Sequence, residues 1–283
     1  MSGVVPALDS VLALWAEQVR ASRTQRERLR ELPPPEDFFA RSTGRFRDDP
    51  HRRDDAALDA LLSLVRPGET WLDIGPGAGR YTLPIALAAQ RVIGVDSSPS
   101  MLEALREQAT RHRIQNLETI QGEWPLGTEP AVAADVALIC NVGYGREDIG
   151  PFIESMQRAA RRRCVALMRW RHPSASLDPL WPEVFGEPRL TLPAMRELLV
   201  VLLAMGATFD VRTVVARRQS FASPDEAVAF AMHQTQLRPG GARALRLTRA
   251  VHDRLVERDG RFWLDDELGR VGVVNWAPTG RFG

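Results

Sequence analysis

The sequence predicts an α/β protein whose mostly parallel, doubly wound, Rossmann-like sheet carries helices on both faces. Three observations predict this class. Short apolar segments alternate with helical ones, a glycine-rich turn follows the first apolar segment, and a carboxylate follows the second. The chain of 283 residues is long enough for one large domain with additions.

The first part of the chain lies outside this alternation. Residues 6–31 have the apolar spacing of a helix, which the prolines at 33–35 should end, and a polar stretch follows to residue 55. We therefore expect residues 1–54 to form a helical N-terminal extension. Because added elements carry specificity in shared scaffolds, we expect this extension to act as a lid over substrate.

From residue 55 onward, helical and apolar segments take turns. Helices are expected at 56–65, at 81–89, from Ser98 onward and at 146–160, with strands at 70–74, 91–95, 117–121, 135–140 and 164–170. A long loop (171–190), a helix (195–205) and a strand (208–215) follow. Ser223-Pro224-Asp225-Glu226 has the pattern of a helix start. A second helix near 242–257 then predicts a helical insertion at about 216–268, before a last strand at 271–276.

Residue usage excludes several classes of protein. Lysine is absent, so all 37 basic residues are arginine, and neither a Schiff-base lysine nor a lysine-containing phosphate loop is possible. The 36 acidic residues leave a net charge of +1, which gives no overall attraction to nucleic acid.

The cysteines and the apolar segments indicate the metal content and the location of the protein. Two cysteines without paired Cys/His spacing predict neither a disulfide framework nor a metal site. The longest apolar run, residues 198–205, is too short to cross a bilayer, and the first residues lack a basic leader. We expect a cytoplasmic protein without a membrane partner.

The most informative segment is the turn after the first predicted strand. Gly75, Gly77 and Gly79 alternate there, as a sharply bent backbone close to a ligand requires. The dinucleotide fingerprint needs a glycine at position 80, where this chain has Arg80. Asp73, at the end of the strand, suits a ligand that carries an ammonium group.

Further candidates follow the second and third strands. Asp96 stands 23 residues after Asp73, at the tip of the neighbouring strand, where a carboxylate can accept both hydroxyls of a ribose. Ser97 follows it, and Met101 should lie one helical turn on, with a polarizable side chain suited to packing on adenine. Glu123 could accept from the adenine amino group, and Trp124 could stack on the ring or merely form the rim.

Together these motifs resemble those of class I S-adenosylmethionine-dependent methyltransferases over about residues 55–145. The family's glycine motif corresponds to Asp73, Gly75, Gly77 and Gly79, and its two later acids correspond to Asp96 and Glu123. The run VDSSPSMLEAL is similar to the branch that methylates small molecules and quinones. The resemblance implies S-adenosylmethionine as cofactor, a seven-stranded sheet with an antiparallel final hairpin, and a methyltransferase domain over residues 55–283.

In this family the acceptor site follows the fourth strand. Asn141 is expected to face the cofactor, and Tyr144 to contact the acceptor or to be structural. The segment 138–145 is neither Asn-Pro-Pro-Tyr, which adenine-amino enzymes use, nor the Pro-Cys of cytosine-C5 enzymes. His172 follows the fifth strand and is the best-placed histidine for a base, with a hydrogen-bonded loop histidine as the alternative.

The acceptor class follows from the aromatic residues around these strand ends. If the loop 171–190, with Trp181 and Phe185, and the extension, with Phe38, Phe39 and Phe46, fold over the strands, they enclose an apolar cavity. This predicts a small-molecule acceptor, such as an aromatic or quinone-like hydroxyl. An RNA methyltransferase using the arginine-rich first helix, and a non-catalytic protein that kept the fold, are the alternatives.

Overall fold

A seven-stranded sheet forms the centre of the computed structural model, which describes residues 6–40, 43–127, 132–215, 219–264 and 269–279. The strand order is β3-β2-β1-β4-β5-β9-β6. The first five strands pair in parallel, and β9 runs antiparallel to both of its neighbours. The sheet strands are β1 (Thr70–Ile74), β2 (Arg91–Asp96), β3 (Leu117–Gln121), β4 (Ala134–Cys140), β5 (Ala160–Arg169), β6 (Phe209–Val215) and β9 (Arg270–Trp276).

This architecture confirms the predicted fold class and the antiparallel last strand. β9 is inserted between β5 and β6, so strands 55 or more residues apart in the chain become neighbours. The fifth strand begins earlier than predicted, because the preceding helix ends at Ala159 and the backbone is extended from Ala160 onward.

Helices cover both faces of the sheet. They are α1 (Leu8–Leu29), α2 (Ala56–Leu62), α3 (Thr82–Ala86), α4 (Pro99–Arg111), α5 (Ile149–Ala159), α6 (Trp181–Phe185), α7 (Met195–Ala204), α8 (Pro224–Thr235) and α9 (Ala242–Arg254). Alternate residues of a strand point to opposite faces, so in β1 Leu72 and Ile74 join one apolar core and Trp71 the other. Helix α1 buries Val11, Trp15 and Val19 in the first of these cores.

The segment between β6 and β9 contains more than the two predicted helices. A small hairpin, β7 (Val256–Arg258) and β8 (Arg261–Trp263), follows α9. Asp259 and Gly260 join the two strands and both have positive φ, as a two-residue hairpin turn requires. The predicted second helix therefore ends at Arg254, and this Asp-Gly signal was missed.

The loop predicted at 171–190 is also partly helical. A 3-10 helix (Ala175–Leu180) runs directly into α6. Leu177, Leu180 and Val184 share an apolar cluster with α8 and α9, which explains why a proline-rich segment is ordered here. Among the described residues, no helix is both long and apolar enough to cross a membrane.

Candidate active site

The carboxyl ends of the parallel strands open into a cavity of about 2100 Å³. Every predicted site residue lines it except Gly79. A Cβ added to Gly79 would lie 2.6 Å from Leu105 Cδ1 and 2.8 Å from Leu83 Cγ. Gly79 therefore allows α3 and α4 to pack against the turn, while the residues before it face the cavity.

The glycine turn has the sharply bent backbone that its sequence predicts. Gly75 and Gly77 have φ values of 76° and 56°, which disfavour residues with a side chain. A Cβ on Gly75 would lie 2.5 Å from Val142 Cγ2, in the loop after β4. The turn thus presents bare backbone to the cavity at the tip of β1.

Asp73 is fully buried below this turn. Its Oδ2 accepts a hydrogen bond from Thr82 Oγ1 at 2.6 Å, whereas Oδ1 has no hydrogen-bond partner among the described residues. Burial, together with nearby Asp96, raises the pKa of Asp73 to about 7. A buried, unsatisfied carboxylate oxygen beside a cavity favours a ligand that brings a positive charge.

Asp96 lies at the end of β2, next to the glycine turn. Its Oδ2 accepts from Gly77 N at 3.0 Å and its Oδ1 from Ser98 N at 2.9 Å. These bonds fix the carboxylate at the edge of the cavity, while partial burial raises its pKa. Ser97 is exposed at the rim.

The three predicted adenine contacts differ in their surroundings. Met101 is buried, with its sulfur 3.9 Å from the position of a Cβ on Gly77. Trp124 is buried, and its Nε1 has no hydrogen-bond partner among the described residues. Glu123 is 78% exposed and forms an ion pair with Arg146, with Nη1 and Oε1 2.9 Å apart. Glu123 would have to leave Arg146 to reach an adenine amino group.

Tyr144 and Asn141 form one hydrogen-bonded unit after β4. The Tyr144 hydroxyl donates to Asn141 Oδ1 at 2.9 Å and accepts from the Arg169 backbone N–H at 2.9 Å. Tyr144 is buried, and burial raises its pKa. These bonds tie the loop after β4 to the end of β5, so the structural reading of Tyr144 has direct support.

His172 packs edge-on against Tyr144, with ring centroids 5.0 Å apart. Its Nδ1 lies 2.7 Å from Ser174 Oγ and accepts from the Ser174 backbone N–H at 3.2 Å. Burial, with the positive charges of Arg189 and Arg26, lowers the pKa of His172 to about 3. The imidazole is therefore neutral at physiological pH.

The aromatic lining agrees with the prediction in part. Phe38, Phe39 and Phe46 line the cavity, but Trp181 and Phe185 do not. Those two rings stack on each other 4.5 Å apart, beside the helical cluster formed with α9. They were wrongly assigned to the cavity because their contact with the distant helices cannot be seen in local sequence.

Side chains that the sequence did not single out line the cavity in place of Trp181 and Phe185. Phe230 and His233 of α8 line the cavity together with Phe221. Arg45 lies over both phenylalanine rings, with its guanidinium carbon 4.4 Å from the Phe230 centroid and 5.1 Å from that of Phe221. The capping box predicted α8, but no local signal placed it at the strand ends.

The segment between α1 and α2 is held across the cavity by polar contacts. We call residues 36–40 and 43–49 the N-terminal strap. The Asp37 carboxylate accepts from Ser98 Oγ at 2.8 Å and from Ser100 Oγ at 2.6 Å, at the start of α4. On the other side, His233 Nε2 lies 2.9 Å from the Phe38 carbonyl oxygen.

Two ion pairs fasten the far end of the strap. Asp48 Oδ2 lies 2.9 Å from Arg80 Nε, and Arg47 Nη2 lies 2.6 Å from Glu107 Oε2. The strap therefore touches the glycine turn, α4 and α8, the elements that surround the cavity.

Comparison with known proteins shows what this chain is similar to. Residues 72–163 match the family model described as "Methyltransferase domain". A probable ribosomal RNA small subunit methyltransferase A from Methanosphaera stadtmanae is 33% identical over 72 residues, 25% of this chain and 27% of that protein. The mitochondrial ribosomal RNA small subunit methyltransferase of Arabidopsis thaliana is 38% identical over 121 residues, 38% of this chain and 32% of that protein. The chain spans about a third or less of these relatives' lengths.

Solved structures share the fold over more of the chain. The YcgJ protein from Bacillus subtilis has a TM-score of 0.55 at 14% identity and covers 79% of this chain and 99% of its own. Magnesium protoporphyrin IX methyltransferase (ChlM) from Synechocystis PCC 6803, with bound SAH, has a TM-score of 0.50 at 18% identity. That alignment covers 65% of this chain and 92% of the other. These likenesses show a common fold.

Proposed function

We propose that this chain is an S-adenosylmethionine-dependent methyltransferase and that the whole protein methylates a small-molecule acceptor; the match of residues 72–163 to a methyltransferase domain supports this. The proposal rests on the aromatic side chains that lie over the carboxyl ends of the strands. Phe38, Phe39 and Phe46 of the strap and Phe230 of α8 line one cavity with the glycine turn. A cavity covered by aromatic side chains in this way suits a small molecule rather than an extended polyanion.

The residues at the strand ends fit the cofactor. The free, buried Oδ1 of Asp73 matches the ammonium group of the amino-acid moiety, and Asp96 is placed for the ribose hydroxyls. Met101 and Trp124 supply an apolar surface for adenine. When bound, S-adenosylmethionine supplies an electrophilic methyl group on a sulfonium.

In this proposal the protein contributes mainly by positioning. Methyl transfer is an in-line displacement, whose rate depends on the alignment of two reactants and on the exclusion of water. The strap serves as the lid, since its contacts with α4 and α8 close the cavity from two sides. Asn141, Tyr144 and His172 then border the acceptor, which we propose to carry an aromatic or quinone-like hydroxyl.

Methyl transfer from labelled S-adenosylmethionine, offered a small-metabolite extract and total RNA in parallel, tests this proposal. Label should enter the metabolite fraction, and Asp96→Asn should reduce that transfer. Label in RNA alone would reject the small-molecule assignment. Binding of S-adenosylhomocysteine without transfer to either fraction would favour a non-catalytic protein.

An RNA acceptor is the second candidate. It is favoured by the curated relatives named as ribosomal RNA methyltransferases and by the exposed arginines of α1. An RNA-binding surface of this kind would show an affinity that falls steeply with salt, because each phosphate contact releases counterions. RNA affinity that is weak and independent of salt would exclude this candidate.

A further inference from the structure

A chain of hydrogen bonds fixes the tautomer of His172. Arg189 Nη2 donates to Ser174 Oγ at 2.7 Å, and that hydroxyl lies 2.7 Å from His172 Nδ1. The Ser174 backbone N–H can only donate, and it approaches the same nitrogen at 3.2 Å, so Nδ1 carries no proton. The Ser174 hydroxyl, which accepts from Arg189, then donates its own proton to Nδ1.

These donors also determine which nitrogen of the His172 imidazole carries the ring proton. With two donors on Nδ1, the neutral imidazole carries its hydrogen on Nε2. Nε2 has no hydrogen-bond partner among the described residues, and the ring lines the cavity. His172 therefore offers an N–H donor to whatever lies beside it and has no free lone pair to accept a proton.

Neighbouring residues add positive charge to the part of the cavity beside His172. Arg26 of α1 lines the same cavity, and its charge acts on His172. The charges that surround Arg26 are those of Arg189, Arg23 and Arg30, with Glu27 as the acid among them. Within the described ranges, the Arg26 guanidinium forms no ion pair and donates no hydrogen bond.

Three other arginines nearby are already paired. Arg189 and Arg171 share Asp178, at 3.0 and 3.2 Å, and Arg23 pairs with Glu147 at 2.7 Å. The Tyr144 hydroxyl is engaged with Asn141 and the Arg169 backbone. This corner of the cavity thus contains an uncompensated cation and an N–H donor, and none of these side chains is available as a base.

We propose that the acceptor is bound and methylated as an oxyanion, a phenolate or carboxylate, held between the Arg26 guanidinium and the His172 Nε2–H. This inference rests on the proposed small-molecule function and specifies its substrate class. A cation and an N–H donor beside a bound acid favour its ionised form. The acidic proton goes to bulk water when the acceptor binds, so the transfer itself needs no base.

The charges balance in the transfer step. A lone pair of the oxyanion forms the new oxygen–carbon bond while the carbon–sulfur bond breaks, and its electron pair stays on sulfur. An anion and a sulfonium thus become a neutral ether or ester and a neutral thioether. The roles of Arg26 and His172 are to bind and orient the oxygen.

Titration of 4-nitrophenol into the S-adenosylhomocysteine complex tests the inference, because its phenolate and phenol differ in absorbance. We expect the wild type to prefer the phenolate by about tenfold, the scale of one pKa unit. Arg26→Gln and His172→Phe should each remove most of this preference, whereas His172→Gln, which keeps a side-chain N–H, should retain part of it. Arg20→Gln, which removes a charge on the same helix away from the cavity, should leave it intact.

Results that contradict the anion site can be distinguished from results that contradict the proposed function. A wild type that binds the phenol better, binds neither form, or keeps its preference in Arg26→Gln would overturn the inference. If labelled methyl still enters small metabolites in that case, the proposed function stands without the anion site. Label confined to RNA would instead remove the proposed function itself.

Discussion

Asp73 and Asp96 end neighbouring strands, yet their surroundings give them different properties. Asp96 is held by two backbone N–H groups, whereas one oxygen of Asp73 is buried without a partner. The predictions for Asp73 and Asp96 depend on this contrast.

The raised pKa of Asp73 predicts that cofactor affinity depends on pH. The folded protein keeps this proton up to about pH 7, above the ordinary value of 3.8, so the stability from Asp73 is greatest below the ordinary value and is lost as pH rises. An ammonium ligand requires the ionised form. Calorimetry should therefore show S-adenosylhomocysteine binding that tightens from about pH 6 to about pH 8, with proton release on binding at the lower pH.

Asp73→Asn provides the control for this dependence. It should bind more weakly at high pH and lose both the pH dependence and the proton release that Asp73 contributes. A wild-type affinity that is the same at both pH values would show that Asp73 does not meet the ammonium group.

Asp96→Asn should weaken S-adenosylhomocysteine binding by about 1.5–3 kcal/mol, the usual scale for hydrogen bonds to a charged group. Asparagine keeps the size of the side chain and one accepting oxygen, so one of the two backbone hydrogen bonds can survive. Glu103→Gln, an exposed acid further along α4, is the matched control in calorimetry. Equal affinities for the two variants would remove Asp96 from the cofactor site.

At the scale of elements, the strap connects parts of the chain that are far apart in sequence. Its contact between Phe38 and His233 spans 195 residues, and its Asp37 reaches the first turn of α4. Acidic groups are favoured at a helix N-terminus, where N–H groups are free, so Asp37 holds the strap against α4 by hydrogen bonds and by charge.

Asp37→Ala should loosen the strap without unfolding the protein, because the contact lies at the surface of the cavity. We expect faster hydrogen exchange in residues 36–40 and 43–49 and a severalfold faster release of S-adenosylhomocysteine. Glu36→Ala removes an exposed neighbouring acid and should change neither quantity. Unchanged exchange in the Asp37 variant would mean that the other strap contacts suffice.

On the scale of the whole molecule, a buried ion pair joins the start of β1 to β5. Arg163 Nη1 lies 2.6 Å from Glu69 Oε1, with side chains only 11% and 2% exposed, and Arg163 Nη2 donates to the Leu64 carbonyl at 2.6 Å. Burial alone would raise the pKa of Glu69, but hydrogen bonds from Arg163 keep it below its ordinary value.

Arg163→Met should lower the free energy of unfolding by about 3–5 kcal/mol, because it leaves a buried carboxylate without its partner. Urea denaturation measures this loss. The double variant Arg163→Met, Glu69→Gln should recover part of it, since no charge then remains buried. A double variant less stable than the single one would show that the charge of Glu69 is stabilised without Arg163, for example by the Arg66 backbone N–H that donates to its Oε2 at 3.1 Å.

The sequence by itself determined the features that depend on neighbouring residues. The glycine turn, Asp73 at the end of one strand and Asp96 at the end of the next follow from local backbone geometry and from the shared edge of parallel strands. The structure confirms the sheet that they imply. The Asp259-Gly260 hairpin was equally local and could have been predicted.

Only the tertiary structure decided what surrounds the acceptor. Trp181 and Phe185 do not line the cavity, Phe230 lines it instead, and Arg189 binds the Ser174 hydroxyl beside His172. Local sequence periodicity sets which face of an element is apolar, but several distant surfaces can cover such a face equally well. Which one does so depends on the packing of the whole chain, and the chemistry of His172 and Tyr144 depends on those long-range partners.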